Sequence, residues 1–297
     1  MAWSASDIPD LTGKKVIVTG ANGGLGEIST RQLAAHGASV VMACRNVEKA
    51  RAIADGITAS GVAGDVTVGA LDLGDMRSVR AFTSQQDEFD ILINNAGLMN
   101  LPMRRTTDGF EMQFGVNHLG HFVLTSQLWG KLRDRVVTLS SIAHRQTPKL
   151  WVGDLNYENR RYQRNLAYAQ SKLSNLMFAR ELQRRLDESG SPKKSYAVHP
   201  GVSGTDLFTG TELTLFDKVG KLGAGIVGHK PEHAAESTMF AAVSPDADPH
   251  TYWGPTGFRE MRGAVGPCAS SKLSQNRQLW ATLWDESERM TGVSFVP

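Results

Sequence analysis

The chain has 297 residues, 41% hydrophobic and 21% charged, which is enough for a substantial core and unlike a disordered polypeptide. Its 32 Lys and Arg against 30 Asp and Glu leave a formal charge of +2, which removes any electrostatic case for nucleic acid or an anionic membrane. No apolar run approaches the roughly 18 residues of a membrane span, the polar extension 1–10 is not a signal peptide, and Cys44 and Cys268 make no disulfide framework, so the composition predicts a cytoplasmic protein with reduced thiols.

Apolar runs alternate with amphipathic stretches along the chain. Val16–Thr19, Ser39–Ala43, Val66–Leu71, Asp90–Asn94, Arg135–Ser140 and Ser195–His199 read as buried strands. Leu25–His36, Val47–Ser60, Asp75–Glu88, Asp108–Leu132 and Tyr168–Glu188 read as helices, with Asp75 and Asp108 as N-caps. This alternation predicts an α/β fold of Rossmann type, a doubly wound parallel sheet with helices on both faces. No linker divides it, so residues 1–297 are expected to form one domain. Two long segments interrupt the pattern: Ala143–Ala167, carrying Arg145, Arg160, Arg161, Tyr157 and Tyr162, and 202–228, rich in Gly, Thr and Leu. Both follow strand ends, where open α/β sheets bind ligands, and 202–228 is expected to be a substrate lid. The tail 270–297 reads as helical, with Leu273, Leu279, Trp280, Leu283 and Trp284 as packing residues.

The chemistry begins at the first strand end. Thr19-Gly20-Ala21-Asn22-Gly23-Gly24-Leu25-Gly26 places a glycine turn between a strand and a helix. Glycines let the backbone turn sharply, and the helix N-terminus directs free N–H groups at an anion such as a pyrophosphate. The spacing is G-x-x-x-G-x-G rather than the G-x-G-x-x-G of the common dinucleotide fingerprint. Further on, Asp72-Leu73, Asn94-Asn95-Ala96-Gly97 and Ser140-Ser141 close successive strands, and Tyr168-Ala-Gln-Ser-Lys172 opens the long helix. Tyr168 and Lys172 lie one helical turn apart on one face. An ammonium group beside a phenol favours the phenolate, which would bring Tyr168 toward the range useful for general acid–base work.

In this order, with Asn117 between them, the motifs resemble the short-chain dehydrogenase/reductase family. The resemblance runs from about Leu11 to Thr205. It implies a catalytic set of Asn117, Ser141, Tyr168 and Lys172. Tyr168 would exchange a proton with a carbonyl or alcohol oxygen, Ser141 would hold that oxygen, and Asn117 matches the family's proton-relay asparagine. Physics alone does not choose between Ser140 and Ser141; the family pattern favours the second. Twenty-six residues separate Ser141 from Tyr168, a longer insertion that is similar to the retinol-dehydrogenase-like and protochlorophyllide-reductase-like branches.

The resemblance also implies a nicotinamide cofactor. Gly20, Asn22, Gly23, Gly24, Leu25 and Gly26 would face its phosphates, Asp72 and Leu73 its adenine, and Asn95, Ala96 and Gly97 a ribose. Lys172 and Tyr168 would lie at the nicotinamide ribose, and Pro200, Gly201, Val202 and Thr205 along the nicotinamide amide. Gly23 departs from the serine of many members. After the second strand no acid stands to hold a ribose 2′-hydroxyl; Arg45 stands there instead, and a guanidinium suits a 2′-phosphate. NADP(H) is therefore expected over NAD(H). Alternatively, Arg45 pairs with Glu48. His118, His121, His144 and His199 fit no zinc spacing, so no metal is expected. The expected activity is hydride transfer between nicotinamide and a carbonyl or alcohol with an apolar body, judged from Leu207, Phe208, Leu213, Leu215, Phe216, Leu150 and Trp151. The alternatives are a C=C reductase and a catalytically idle, NADP(H)-sensing regulator on the same fold. Small molecules are the expected partners, together with a possible homo-oligomer through the helices at 108–132 and 168–188, the pair by which family members often associate.

Overall fold

Eight strands form one sheet in the order β3-β2-β1-β4-β5-β6-β7-β8, seven running parallel and the last antiparallel to its neighbour. The computed structural model describes residues 3–201 and 231–297. The strands are β1 (Lys15–Thr19), β2 (Ser39–Cys44), β3 (Asp65–Ala70), β4 (Phe89–Asn94), β5 (Leu132–Leu139), β6 (Lys194–Val198), β7 (Tyr252–Pro255) and β8 (Val265–Pro267). The chain moves outward from β1 to β3, then returns to place β4 on the other side of β1. That reversal opens a crevice beyond the C-terminal ends of β1 and β4, where such sheets bind ligands.

Both faces of the sheet are covered, which is why the strands read as continuous apolar runs. Val16, Val18, Ile91 and Ile93 point to one face and pack against α1 (Gly24–Ala35), α2 (Val47–Ala59) and α7 (Pro231–Val243). Ile17 and Leu92, one residue out of phase, point to the other, against α3 (Met76–Ser84), α5 (Gly120–Leu128) and α6 (Arg164–Ser189). The last helix, α8 (Arg277–Thr291), lies over α5 and α6. Its Trp284 stacks on Phe178 and Phe295 and meets Phe122 edge-on at 5.2 Å. Trp284→Ala should therefore cost about 3–5 kcal/mol in urea unfolding, since the void would lie between two helices and the tail.

The six predicted strands and the expected doubly wound sheet are present, with edges shifted by a few residues. β7 and β8 escaped the sequence reading because Gly-Pro endings resemble loop. The helix expected over 108–132 starts instead at α4 (Met112–Phe114), whose N-cap is Glu111; its carboxylate accepts from the N–H groups of Gln113 and Phe114. Asp108 belongs to a preceding turn with Gly109 at φ +84°, and its carboxylate accepts from Met76 N at 2.8 Å, so it serves α3 rather than its own helix. α4 continues through a π-helical turn, Gly115–Leu119, into α5, and β5 takes over at Leu132. α3 ends at Ser84 rather than at Glu88, because β4 already begins at Phe89. α6 begins four residues before Tyr168, so Tyr168 and Lys172 stand inside a formed helix rather than at its frayed end. In the tail Asn276 interrupts the expected helix, accepting from Gln278 N and Leu279 N as the N-cap of α8. Residues 202–228, and with them Val202 and Thr205, lie outside the described residues.

Candidate active site

The β1–α1 turn forms one wall of a cleft of about 310 Å³ at the C-terminal edge of the sheet. Gly20 has φ +65°, and a Cβ there would stand 2.9 Å from Ala96 Cα, so a side chain is barred by both backbone and neighbour. Gly23 is extended at φ 163°, a conformation open to serine, so its departure from the family pattern is not forced by the backbone. Gly26 does not line the cleft. A Cβ there would strike Gly20 O and Asn95 Nδ2 at 2.6 Å, so this glycine lets α1 seat closely on the strand ends. The cleft is lined at this end by Gly20, Asn22, Gly23, Gly24 and Leu25, with Arg45 beyond β2 and Asp72 and Leu73 beyond β3. Asn95, Ala96 and Gly97 follow β4, Tyr168 and Lys172 come from α6, and Pro200 follows β6.

Arg45 is exposed at the rim, and among the described residues it makes no ion pair with Glu48. Two residues that the sequence reading missed stand beside it: Asn46 and Lys49. Asn46 caps α2, accepting from Lys49 N at 2.9 Å, and Lys49 Nζ lies 3.4 Å from where a Gly23 Cβ would be. The signal for Lys49 was its place in the first turn of the helix that Asn46 caps, directly after the end of β2.

At the other end Tyr168 and Lys172 are both buried. Burial pushes the Tyr168 phenol up to about 12, outweighing the neighbouring Ser141 hydroxyl, which acts to lower it. The Lys172 ammonium, expected to pull the phenol down, does not offset this: it turns toward Leu139 O, to which Nζ donates at 3.1 Å, and lies 5.9 Å from the Tyr168 ring centre. Burial also lowers Lys172 to about 8. The two serines separate cleanly. Ser140 is buried and its hydroxyl donates to Lys172 O at 2.7 Å, holding α6 to the strand end. Ser141 is half-exposed, caps the turn Ile142–Gln146 by accepting from Ala143 N, and meets the Tyr168 phenol. Asn117, fully buried in the π turn, clamps the Leu98 peptide from both sides: Oδ1 accepts from Leu98 N at 2.7 Å and Nδ2 donates to Leu98 O at 2.9 Å.

Comparison with known proteins places the chain in a family. Residues 14–153 match the family model described as short chain dehydrogenase. Human retinol dehydrogenase 13 is 38% identical over 295 residues, spanning 95% of this chain and 86% of that one. The chain belongs to the short-chain dehydrogenase/reductase family. Within it the relatives mark the retinol-dehydrogenase-like branch; mouse retinol dehydrogenase 12 is 48% identical over 200 residues, 65% of this chain and 62% of that one. An uncharacterised protein from Mycobacterium paratuberculosis has the same structure with TM-score 0.84 and 40% identity, over 99% of both chains. A Burkholderia cenocepacia J2315 short-chain dehydrogenase in complex with NADP shares the fold, with TM-score 0.61 and 24% identity over 79% of this chain and 92% of that one. Members of this family are oxidoreductases that use nicotinamide cofactors.

Not every residue transferred from the family pattern reaches the cleft. Gly201 has φ +75° and packs against Met261 O and Pro255, so its role is to seat the post-β6 loop on β7. Asn117 and Ser141 stand just behind the lining, Asn117 against the Leu98 peptide and Ser141 beside Tyr168. His199 meets Glu260 and Cys268, whose ligand-type atoms lie within 4.8 Å of one another, a grouping invisible in sequence spacing. The set does not suit a cation. Gly201 N donates to His199 Nδ1, which keeps the ring proton on Nε2, the nitrogen facing Glu260, and Arg145 already pairs with the Glu260 carboxylate. Among the described residues no helix is long and apolar enough to cross a membrane.

Proposed function

We propose that this chain is an NADP(H)-dependent oxidoreductase that interconverts a carbonyl and an alcohol on a substrate with an apolar body. The observation that carries the reading is the buried Tyr168, with Ser141 beside its phenol and Lys172 one helical turn away, at the inner end of a glycine-walled cleft. The cleft suits a dinucleotide: a Cβ-free turn and a helix N-terminus at one side, and two cations at the outer rim. When bound, the nicotinamide supplies or receives the hydride. Asn22, Gly23, Gly24 and Leu25 would receive the phosphates, and Asn95, Ala96 and Gly97 a ribose. Asp72 and Leu73 would flank the adenine, and Pro200 the nicotinamide side. Arg45 and Lys49 would share a 2′-phosphate.

Tyr168 keeps its proton at neutral pH because burial opposes the phenolate, so in the reducing direction it is a loaded acid beside the carbonyl oxygen. Ser141 holds the same oxygen as charge develops. Lys172 supplies positive charge that favours the phenolate left behind. Asn117 fixes the Leu98 peptide, next to Gly97. The first substrate to try is retinol, named in the relatives, with retinal, its aldehyde, in the reducing direction. Free Cys44 and Cys268 support a reducing, cytoplasmic setting. Pairing through α5 and α6 would have to use what α8 leaves uncovered, since Phe122 and Phe178 are already spent on Trp284.

Fluorescence titration tests the cofactor half of this reading. NADPH should bind more tightly than NADH, and Arg45→Ala should weaken NADPH by about 10–100-fold, the worth of a charge-assisted hydrogen bond, with little change for NADH. Equal affinity of the unaltered protein for both cofactors would remove the role given to Arg45.

A further inference from the structure

We propose that His121 is a positioning residue that ties the Asn117 carbonyl to Thr19 at the root of the glycine turn, so that the cofactor wall and the Asn117 clamp on Leu98 move as one unit. The inference rests on the roles given above to Asn117 and the cleft. The ring is buried on α5 with both nitrogens engaged: Nδ1 lies 2.9 Å from Asn117 O and Nε2 2.9 Å from Thr19 Oγ1.

Hydrogen counting fixes the tautomer. A carbonyl oxygen only accepts, so Nδ1 must carry the proton that faces Asn117. Thr19 Oγ1 already accepts from Asn95 N at 3.0 Å and Ala96 N at 2.9 Å, which fills its two lone pairs. Its one hydrogen therefore goes outward, to His121 Nε2 at 2.9 Å rather than to Ile93 O at 3.3 Å. The two ends agree on a neutral ring with its proton on Nδ1. No acceptor remains for a second proton. Burial holds the imidazole down to about 4, and the charge of Lys172 acts in the same direction against the hydrogen bond to Asn117 O. His118 also faces this region; burial and His121 lower it to about 3. His121 is thus a clamp, not a proton carrier.

The clamp closes a ring of hydrogen bonds. Thr19 holds the Asn95 and Ala96 amides, Asn117 grips the Leu98 peptide on both sides, and His121 joins Thr19 to Asn117 from behind. The segment that would line the ribose is fixed at both ends, and the two anchors are fixed to each other. Removing the link to Asn117 would free the π turn to shift by tenths of an ångström where Gly97 approaches Lys172.

Two variants divide the ring's two bonds. An asparagine amide reaches the place of Nδ1, and a glutamine amide the place of Nε2. His121→Asn, which loses the bond to Thr19, and His121→Gln, which loses the bond to Asn117, each break the tie and should each lower kcat by about tenfold or more, with NADPH affinity changed by less than about threefold. A core residue with a merely structural role would lower melting temperature in both variants and leave kcat of the folded protein unchanged. An undiminished kcat in either variant would overturn the proposal. Asn117→Ala, run alongside, separates the two readings: unchanged kcat there counts against Asn117, whatever His121 does. A further readout needs neither cofactor nor substrate. In long-range proton–nitrogen NMR spectra of histidine-labelled protein, the resonance missing from His121→Gln should report an Nδ1–H ring, unchanged from about pH 5 to pH 8. An Nε2–H ring, or titration in that interval, would also overturn it.

Discussion

Tyr168→Phe should lower turnover by about 10²–10⁴-fold, the usual worth of a positioned general acid. NADPH affinity should stay within a small factor, because the phenylalanine ring preserves the cleft wall and only the hydroxyl is lost. The size of the effect follows from the position of that hydroxyl. It is buried, it lies beside Ser141, and burial pushes it up to about 12, so it keeps its proton at neutral pH. Stopped substrate turnover with retained cofactor binding is the required pair of results. Undiminished turnover would place the acid elsewhere.

Lys172→Met should abolish turnover and yet stabilise the fold. The ammonium is buried, and burial lowers it from 10.5 to about 8. Below about pH 8 both folded and unfolded chains carry the charge, and the folded chain bears the full penalty for burying it. By the linkage relation that penalty is on the order of 3 kcal/mol. Between about pH 8 and 10.5 the unfolded chain binds more protons than the folded one, so stability of the unaltered protein rises with pH. Thermal melts at pH 7 should therefore favour the methionine variant, and its advantage should shrink toward pH 10. A destabilised variant at pH 7 would mean that the lysine's bond to Leu139 O outweighs its desolvation. The same group sets a limb in the pH profile. The kcat/KM for cofactor reports the free enzyme and should fall as pH rises through about 8.

The parallel core was legible because covering both faces of a sheet leaves an unmistakable apolar run, as in Val16–Thr19 and Asp90–Asn94. The candidate site was legible for a related reason: each candidate residue follows directly on a strand end or sits on the first turns of a helix. What stayed hidden depends on contacts across the fold. Asp108 looked like a helix cap from its neighbours, yet its carboxylate serves α3, 32 residues earlier. Ser140 and Ser141 are indistinguishable as letters; only the buried bond to Lys172 O and the half-exposed turn separate them. The phenol's upward shift also required the structure, since sequence shows a lysine one turn away but not that it faces Leu139 O. His121 was weighed only as a metal ligand, although its i,i+4 spacing from Asn117 already placed both on one helical face.

Deuterium transfer tests the central claim most directly. NADPH carrying deuterium at both nicotinamide C4 positions, incubated with retinal and a panel of apolar aldehydes and ketones, should give an alcohol labelled at the carbinol carbon. Mass spectrometry should find one deuterium in the product of the unaltered protein and almost none with Tyr168→Phe. Absence of labelled alcohol from every carbonyl tried, or equal labelling by the variant, would contradict the account.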